Sequence, residues 1–143
     1  MKKVIHTDDA PKAIGTYSQA VLADKFLFIS GQIGLDPVTM ELVEGFEQET
    51  IQVFRNISAI CKEAGCSIND VIKFNVLLTD LSNFQKVNEI MEKVLEKPYP
   101  ARAAYEVSAL PKNSSIEIES IACLLYTSPS PRDLSTSRMP SSA

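Results

Sequence analysis

Over residues 47–64 the apolar side chains recur with the period of an α-helix. At about 100° per residue, Ile51, Val53, Phe54, Ile57, Ile60, Cys61 and Ala64 gather on one side, and Gln52, Arg55, Asn56, Lys62 and Glu63 take the other. Gly65 follows where helices commonly end in a left-handed residue. A helix with one apolar face must lie on something, and the next stretch supplies it. In residues 71–78, Ile72, Phe74, Val76 and Leu78 alternate as they do on a strand. A helix laid on a sheet is the basis of an α+β fold.

The flanking segments extend this pattern. Val4 and Ile5 read as an opening strand. Residues 13–22 and 26–31, joined by Ala23-Asp24-Lys25, read as a hairpin. Ser82 with Gln85 three positions later predicts a capping box for a second helix, striped by Phe84, Val87, Ile90, Met91 and Val94. Residues 98–121 hold two more strands, turned about Leu110-Pro111-Lys112-Asn113. The chain should therefore form a mixed sheet of about six strands with two helices on one face. The other face of so apolar a sheet needs a partner, which predicts a homo-oligomer in which sheets pack together.

Composition narrows the chemistry. With 143 residues the chain is one domain with room for a real core. A net charge of -4 gives no broad basic surface, so nucleic acid is not an expected partner. No apolar run is long enough to span a bilayer. The N-terminus turns acidic at Asp8 and Asp9 before a signal-peptide core could form, so a cytoplasmic protein is expected. His6 is the only histidine, which removes Ser-His-Asp, Cys-His and histidine-rich metal sites. Cys61, Cys66 and Cys123 fit neither a disulfide framework nor a zinc spacing. Residues 123–143 are rich in Ser and Pro without an apolar period. They are expected to be a non-native tail, disordered beyond about Leu125, leaving 1–122 as the domain.

What remains for catalysis is Arg, Glu, Tyr, Ser and the backbone. Arg102 can grip a carboxylate with two parallel hydrogen bonds, and Glu117 can carry a proton. On pleated strands Arg102, Ala104 and Glu106 point one way, while Glu117, Glu119 and Ile121 share a face of theirs. A hairpin through Pro111 would set the two strands side by side, where an Arg–Glu pair is most often a plain cross-strand ion pair. Gly31 and Gly34 beside a strand mark a turn, a bulge or a close backbone approach, and their spacing is not that of a phosphate loop. Asn88 lies at the edge of the second helix's stripe, where an amide usually bonds neighbouring backbone and occasionally faces a ligand.

Several blocks read together resemble the RidA/YjgF family of reactive-intermediate deaminases. They are residues 13–20 (AIGTYSQA), 29–37 (ISGQIGLDP), Val87-Asn88, Pro100-Ala101-Arg102, Glu106-Val107, Leu110-Pro111-Lys112 and 116–119 (IEIE). The resemblance covers residues 1 to about 122. It implies a chorismate-mutase-like subunit in a homotrimer whose sheets form a central barrel, with active sites in clefts between subunits. It also implies hydrolysis of small 2-imino acids and their enamine tautomers to 2-keto acids and ammonia, without metal or organic cofactor. Non-catalytic carboxylate sensing, or endoribonuclease and translation-inhibitor activity, are the alternatives it brings. By the same resemblance Arg102 would bind the substrate carboxylate and Glu117 would activate water. Tyr17, Ser30, Gly31 and Asn88 would line the pocket. The chain departs from the family pattern at Thr16, where Pro is usual, at Ala104, where many members carry Cys, and at Met40. Met40 stands where Gly is common, and would be strained if its turn needs a positive φ.

Overall fold

The computed structural model describes residues 2–124 of the chain. The disorder expected of the tail therefore concerns residues outside the described ones. Eight regular elements run in the order β1 (Lys2–Ile5), β2 (Ala20–Ala23), β3 (Phe26–Gln32), α1 (Phe46–Ala64), β4 (Val71–Leu78), α2 (Phe84–Val94), β5 (Ala101–Glu106) and β6 (Ile116–Cys123). They build the expected α+β architecture, a six-stranded sheet in the order β1-β2-β3-β6-β4-β5 with two helices. Every neighbouring pair is antiparallel except β4 and β5. Among the described residues no helix is long and apolar enough to cross a membrane.

The expected hairpin of the last two strands does not form. β6 inserts between β3 and β4, and β5 is displaced to the sheet edge, parallel to β4. Burial explains the exchange. β6 places Ile116, Ile118, Ser120 and Ala122 under the helices and belongs in the middle, whereas β5 has no buried residue and tolerates an edge. The α2 segment supplies the long crossover that a parallel β4–β5 pair requires. At the chain's end β6 continues to Cys123, and Leu124 donates its N–H to the Lys25 carbonyl at 2.7 Å, so pairing runs past residue 122.

The core lies between the sheet and the helices. Val53, Phe54, Ile57 and Ile60 of α1 and Val87, Ile90 and Met91 of α2 pack on Leu27, Ile29, Phe74, Val76, Leu78, Ile116 and Ile118. Phe54 and Phe74 meet edge to face at 5.7 Å. Two residues assigned to the wet side of α1, Gln52 and Asn56, are buried instead. Asn56 donates to the carbonyls of Ile33 (3.3 Å) and Leu35 (3.0 Å) and accepts from Gln52 at 2.9 Å. The Asn56 amide, held by Gln52, ties down the backbone where the chain leaves β3. The second helix also begins differently from the capping-box expectation. Asp80 accepts from the Ser82 N–H at 3.0 Å and caps a short 3-10 turn, Leu81–Asn83, that leads into α2. On the far side of the sheet Phe26, Phe28 and Tyr105 remain exposed.

Candidate functional site

Glu117 rises from β6 on the sheet face away from the helices, paired with Leu77 of β4. Beside it β3 carries a bulge: Ile29 pairs with Ser120 and Gln32 with Ile118, so Ser30 and Gly31 together face the single residue Glu119. The bulge turns Gly31 toward the Glu117 carboxylate. A Cβ at residue 31 would lie 2.8 Å from Glu117 Cδ and would overlap Oε2, so only glycine leaves room for the acid. Glu117 is half-buried, and its pKa is raised above the ordinary carboxylate value, first by burial and then by the charge of Glu119.

The loop before β2 walls this position. Ser30 Oγ donates to the Ser18 carbonyl at 2.6 Å, and the Ser30 N–H donates to the Gln19 carbonyl at 3.0 Å. The buried Gln19 amide holds the segment opposite: Nε2 donates to the carbonyls of Thr7 (3.0 Å), Ala10 (3.3 Å) and Pro11 (2.8 Å), and Oε1 accepts from the Thr7 N–H at 2.8 Å. Tyr17, half-exposed, accepts from the Ile14 N–H at 3.4 Å. A cavity of about 580 Å³ opens here, lined by Tyr17, Ser30, Gly31, Met40, Glu117 and Glu119 among others. Met40, at φ +61, sits in the left-handed region that its turn imposes.

Arg102 belongs to another surface. Its register partner on β4 is Phe74, whose side chain is in the core, so Arg102 points to the helix side of the sheet. Its Nη1 donates to Asn88 Oδ1 at 2.6 Å and reaches Met91 Sδ at 3.5 Å, while its Cζ stacks 4.7 Å from the Phe84 ring centre. Phe84, Asn88 and Met91 repeat at i, i+4 and i+7, so one face of α2 holds the guanidinium in place. A cavity of about 450 Å³ borders it, lined by Asn88, Met91, Leu95, Tyr99 and Arg102 among others.

The six residues singled out in the sequence thus fall into two groups. Tyr17, Ser30, Gly31 and Glu117 share one cavity, while Asn88 and Arg102 share the other. Arg102 and Glu117 are not neighbours within one chain, because β4 runs between their strands and they occupy opposite faces of the sheet. Phe84 and Gln19 were missed. The helical spacing of Phe84 to Asn88 was a usable signal for the first, but nothing local to Gln19 announces its contacts with residues 7–11. Among the described residues no group of three or more His, Cys, Asp or Glu converges as metal ligands would.

Comparison with known proteins agrees with this architecture. Human 2-iminobutanoate/2-iminopropanoate deaminase is 50% identical over 123 residues, covering 85% of this chain and 90% of that protein. The crystal structure of RidA from the Antarctic bacterium Psychrobacter sp. superposes with a TM-score of 0.83 at 59% identity, covering 85% of this chain and 98% of that one. E. coli TdcF, crystallised with bound serine, superposes with a TM-score of 0.79 at 38% identity, covering 85% of this chain and 98% of that one. The family model described as Endoribonuclease L-PSP matches residues 7–124, and the chain belongs to that family, the RidA/YjgF family.

Proposed function

We propose that the chain hydrolyses small 2-imino acids, of the kind named for its human relative, to 2-keto acids and ammonia. It does so as a homotrimer in which each site is closed between two copies. The observation that carries this reading is the placement of Arg102 and Glu117 on opposite faces of one sheet, each beside an open cavity. One chain cannot apply both groups to a small substrate. A second copy can bring its Arg102 to the first copy's Glu117. The exposed Phe26, Phe28 and Tyr105 give the Glu117 face a reason to be covered.

In the closed site the Arg102 guanidinium, already held by Asn88 and Phe84, takes the substrate carboxylate. Glu117 accepts a proton from water as the oxygen attacks the imine carbon. The same group then gives that proton to nitrogen, and as the C–N bond breaks the carbinolamine hydroxyl proton passes to the departing nitrogen, leaving the 2-keto acid and ammonia. The raised pKa of Glu117, caused first by burial, suits a group that must both take and return a proton. Water is the only co-substrate required.

Serine bound to TdcF favours a second reading, in which the same cavities hold small amino or imino carboxylates without turnover. RNA cleavage, suggested by the family's description, is opposed by the chain's net negative charge and by the two carboxylates in the cavity.

Co-expression of two inactive variants, Arg102→Ala and Glu117→Gln, tests the reading. If each site takes its arginine and its glutamate from different copies, random mixing restores about a quarter of the sites. Activity near that level in the 2-iminobutanoate assay supports the proposal. No recovery in demonstrably mixed assemblies overturns the shared site, and no turnover by the unsubstituted protein overturns the hydrolase in favour of binding alone.

A further inference from the structure

The end of α1 brings together two thiols that imine hydrolysis does not use. Gly65 turns left-handed at φ +92. Its N–H donates to the Lys62 carbonyl at 3.1 Å, and the Cys66 N–H donates to the Cys61 carbonyl at 2.9 Å. This nested pair of bonds is a Schellman motif. In such a motif the side chains of the two residues joined by the outer bond commonly pack together over the helix end. Here those residues are Cys61, sealed in the core, and Cys66, half-buried and packed against that core.

Their surroundings divide the labour between them. A hydrogen bond with Cys66, then burial, pushes the Cys61 thiol far up. The interaction with the Cys61 thiol lowers Cys66 against the opposing effects of burial and Asp70. Cys66 carries the sulfur that a solution oxidant reaches, and the Cys61 backbone is tied to that residue across the helix end.

We infer that Cys66 and Cys61 form a hydroperoxide-reactive pair, with Cys66 as the attacking thiol and Cys61 closing a disulfide across the end of α1. The Cys66 thiolate attacks the terminal peroxide oxygen and the O–O bond breaks. The alkoxide, or hydroxide from hydrogen peroxide, leaves and takes up a proton, and Cys66 becomes a sulfenic acid. The Cys61 sulfur then attacks Cys66, the S–O bond breaks, and hydroxide leaves as water with the Cys61 proton. Two thiols lose two electrons, and one hydroperoxide is reduced to alcohol and water. Neither sulfur is in the proposed imine site, so this inference stands or falls apart from that activity.

Peptide mapping of the full chain tests it. Trypsin cleaves after Arg55, Lys62 and Lys73, which puts Cys61 in peptide 56–62 and Cys66 in peptide 63–73. After one equivalent of hydrogen peroxide and alkylation, the two peptides are expected joined, and separable by dithiothreitol. Cys66→Ser should slow peroxide consumption at least about tenfold. Cys61→Ala should leave Cys66 as a sulfenic acid that dimedone traps. Oxidation of Cys123 ahead of Cys66, or a doubly oxygenated and unlinked Cys66 in the unsubstituted protein, would overturn the pair.

Discussion

Gly31 and Glu117 divide one small space: the carboxylate of Glu117 fills the position that a side chain at residue 31 would need. The β3 bulge brings the two together, and the acid's orientation depends on the glycine staying bare. Gly31→Ala should therefore leave the fold intact, since residue 31 has no positive φ to lose, but push Glu117 aside. Displacement of a catalytic group by about 1 Å costs on the order of a hundredfold in rate. Imine-hydrolysis kinetics alongside circular dichroism would check this, and a fully active Gly31→Ala protein would count against Glu117 as the base.

Asn88 makes the shortest contact to Arg102, 2.6 Å. Hydrogen bonds to charged groups contribute roughly 1.5–3 kcal/mol, so Asn88→Ala should raise KM by about tenfold or more as the guanidinium loosens. kcat should fall less, because Phe84 and Met91 still hold the arginine. A steady-state KM against kcat comparison decides it.

The raised pKa of Glu117 has two consequences of opposite sense. As the proposed base it works only when ionised, so on that reading the acidic limb of the rate profile should lie above the usual carboxylate value. Glu119→Gln removes a neighbouring charge and should move that limb to lower pH. For stability, the folded chain binds the Glu117 proton more tightly than the unfolded chain does. Stability therefore falls as pH rises from the ordinary glutamate value through the folded one. Glu117→Gln should stabilise the protein at neutral pH and give no gain in acid, as measured by Tm across the pH series.

Met40 pays a backbone penalty at φ +61 that a glycine would not. Its N–H donates to the Asp36 carbonyl at 2.8 Å, and Asp36 Oδ1 accepts from Val38 and Thr39, which fixes the turn around it. Met40→Gly should stabilise the chain by about 1 kcal/mol, less the larger chain entropy of glycine. Urea denaturation gives the sign directly.

Ser120 carries a buried hydroxyl with no hydrogen-bond partner among the described residues, on the helix side of β6 opposite Phe74. Ser120→Ala removes an unsatisfied group worth about 1–3 kcal/mol and should raise Tm. Imine hydrolysis should be unchanged, since Glu117 stands on the other face.

Elements with strong local periodicity were legible in the sequence. The stripe of Ile57 and Ile60 fixed α1, and the alternation of Phe74, Val76 and Leu78 fixed β4. Strand adjacency was not legible. Residues 98–121 read as a hairpin, because proximity in sequence is the only cue when the burial of β6 against both helices cannot be seen. Gln52 and Asn56 were misplaced for a related reason: the carbonyls of residues 33 and 35 that Asn56 binds lie about twenty positions away, and Gln52 is buried as the donor to Asn56. At the site, resemblance to family motifs marked Arg102 and Glu117, but their facing depends on registers with β4 that no local pattern encodes.

The back-to-back arrangement of Arg102 and Glu117 also bears on inheritance. On the proposed trimeric reading each polypeptide lends its cation to one reaction chamber and its carboxylate to another. A copy lacking both would silence two chambers while occupying one seat. An allele encoding such a chain would act dominantly in a cell that also makes the sound one.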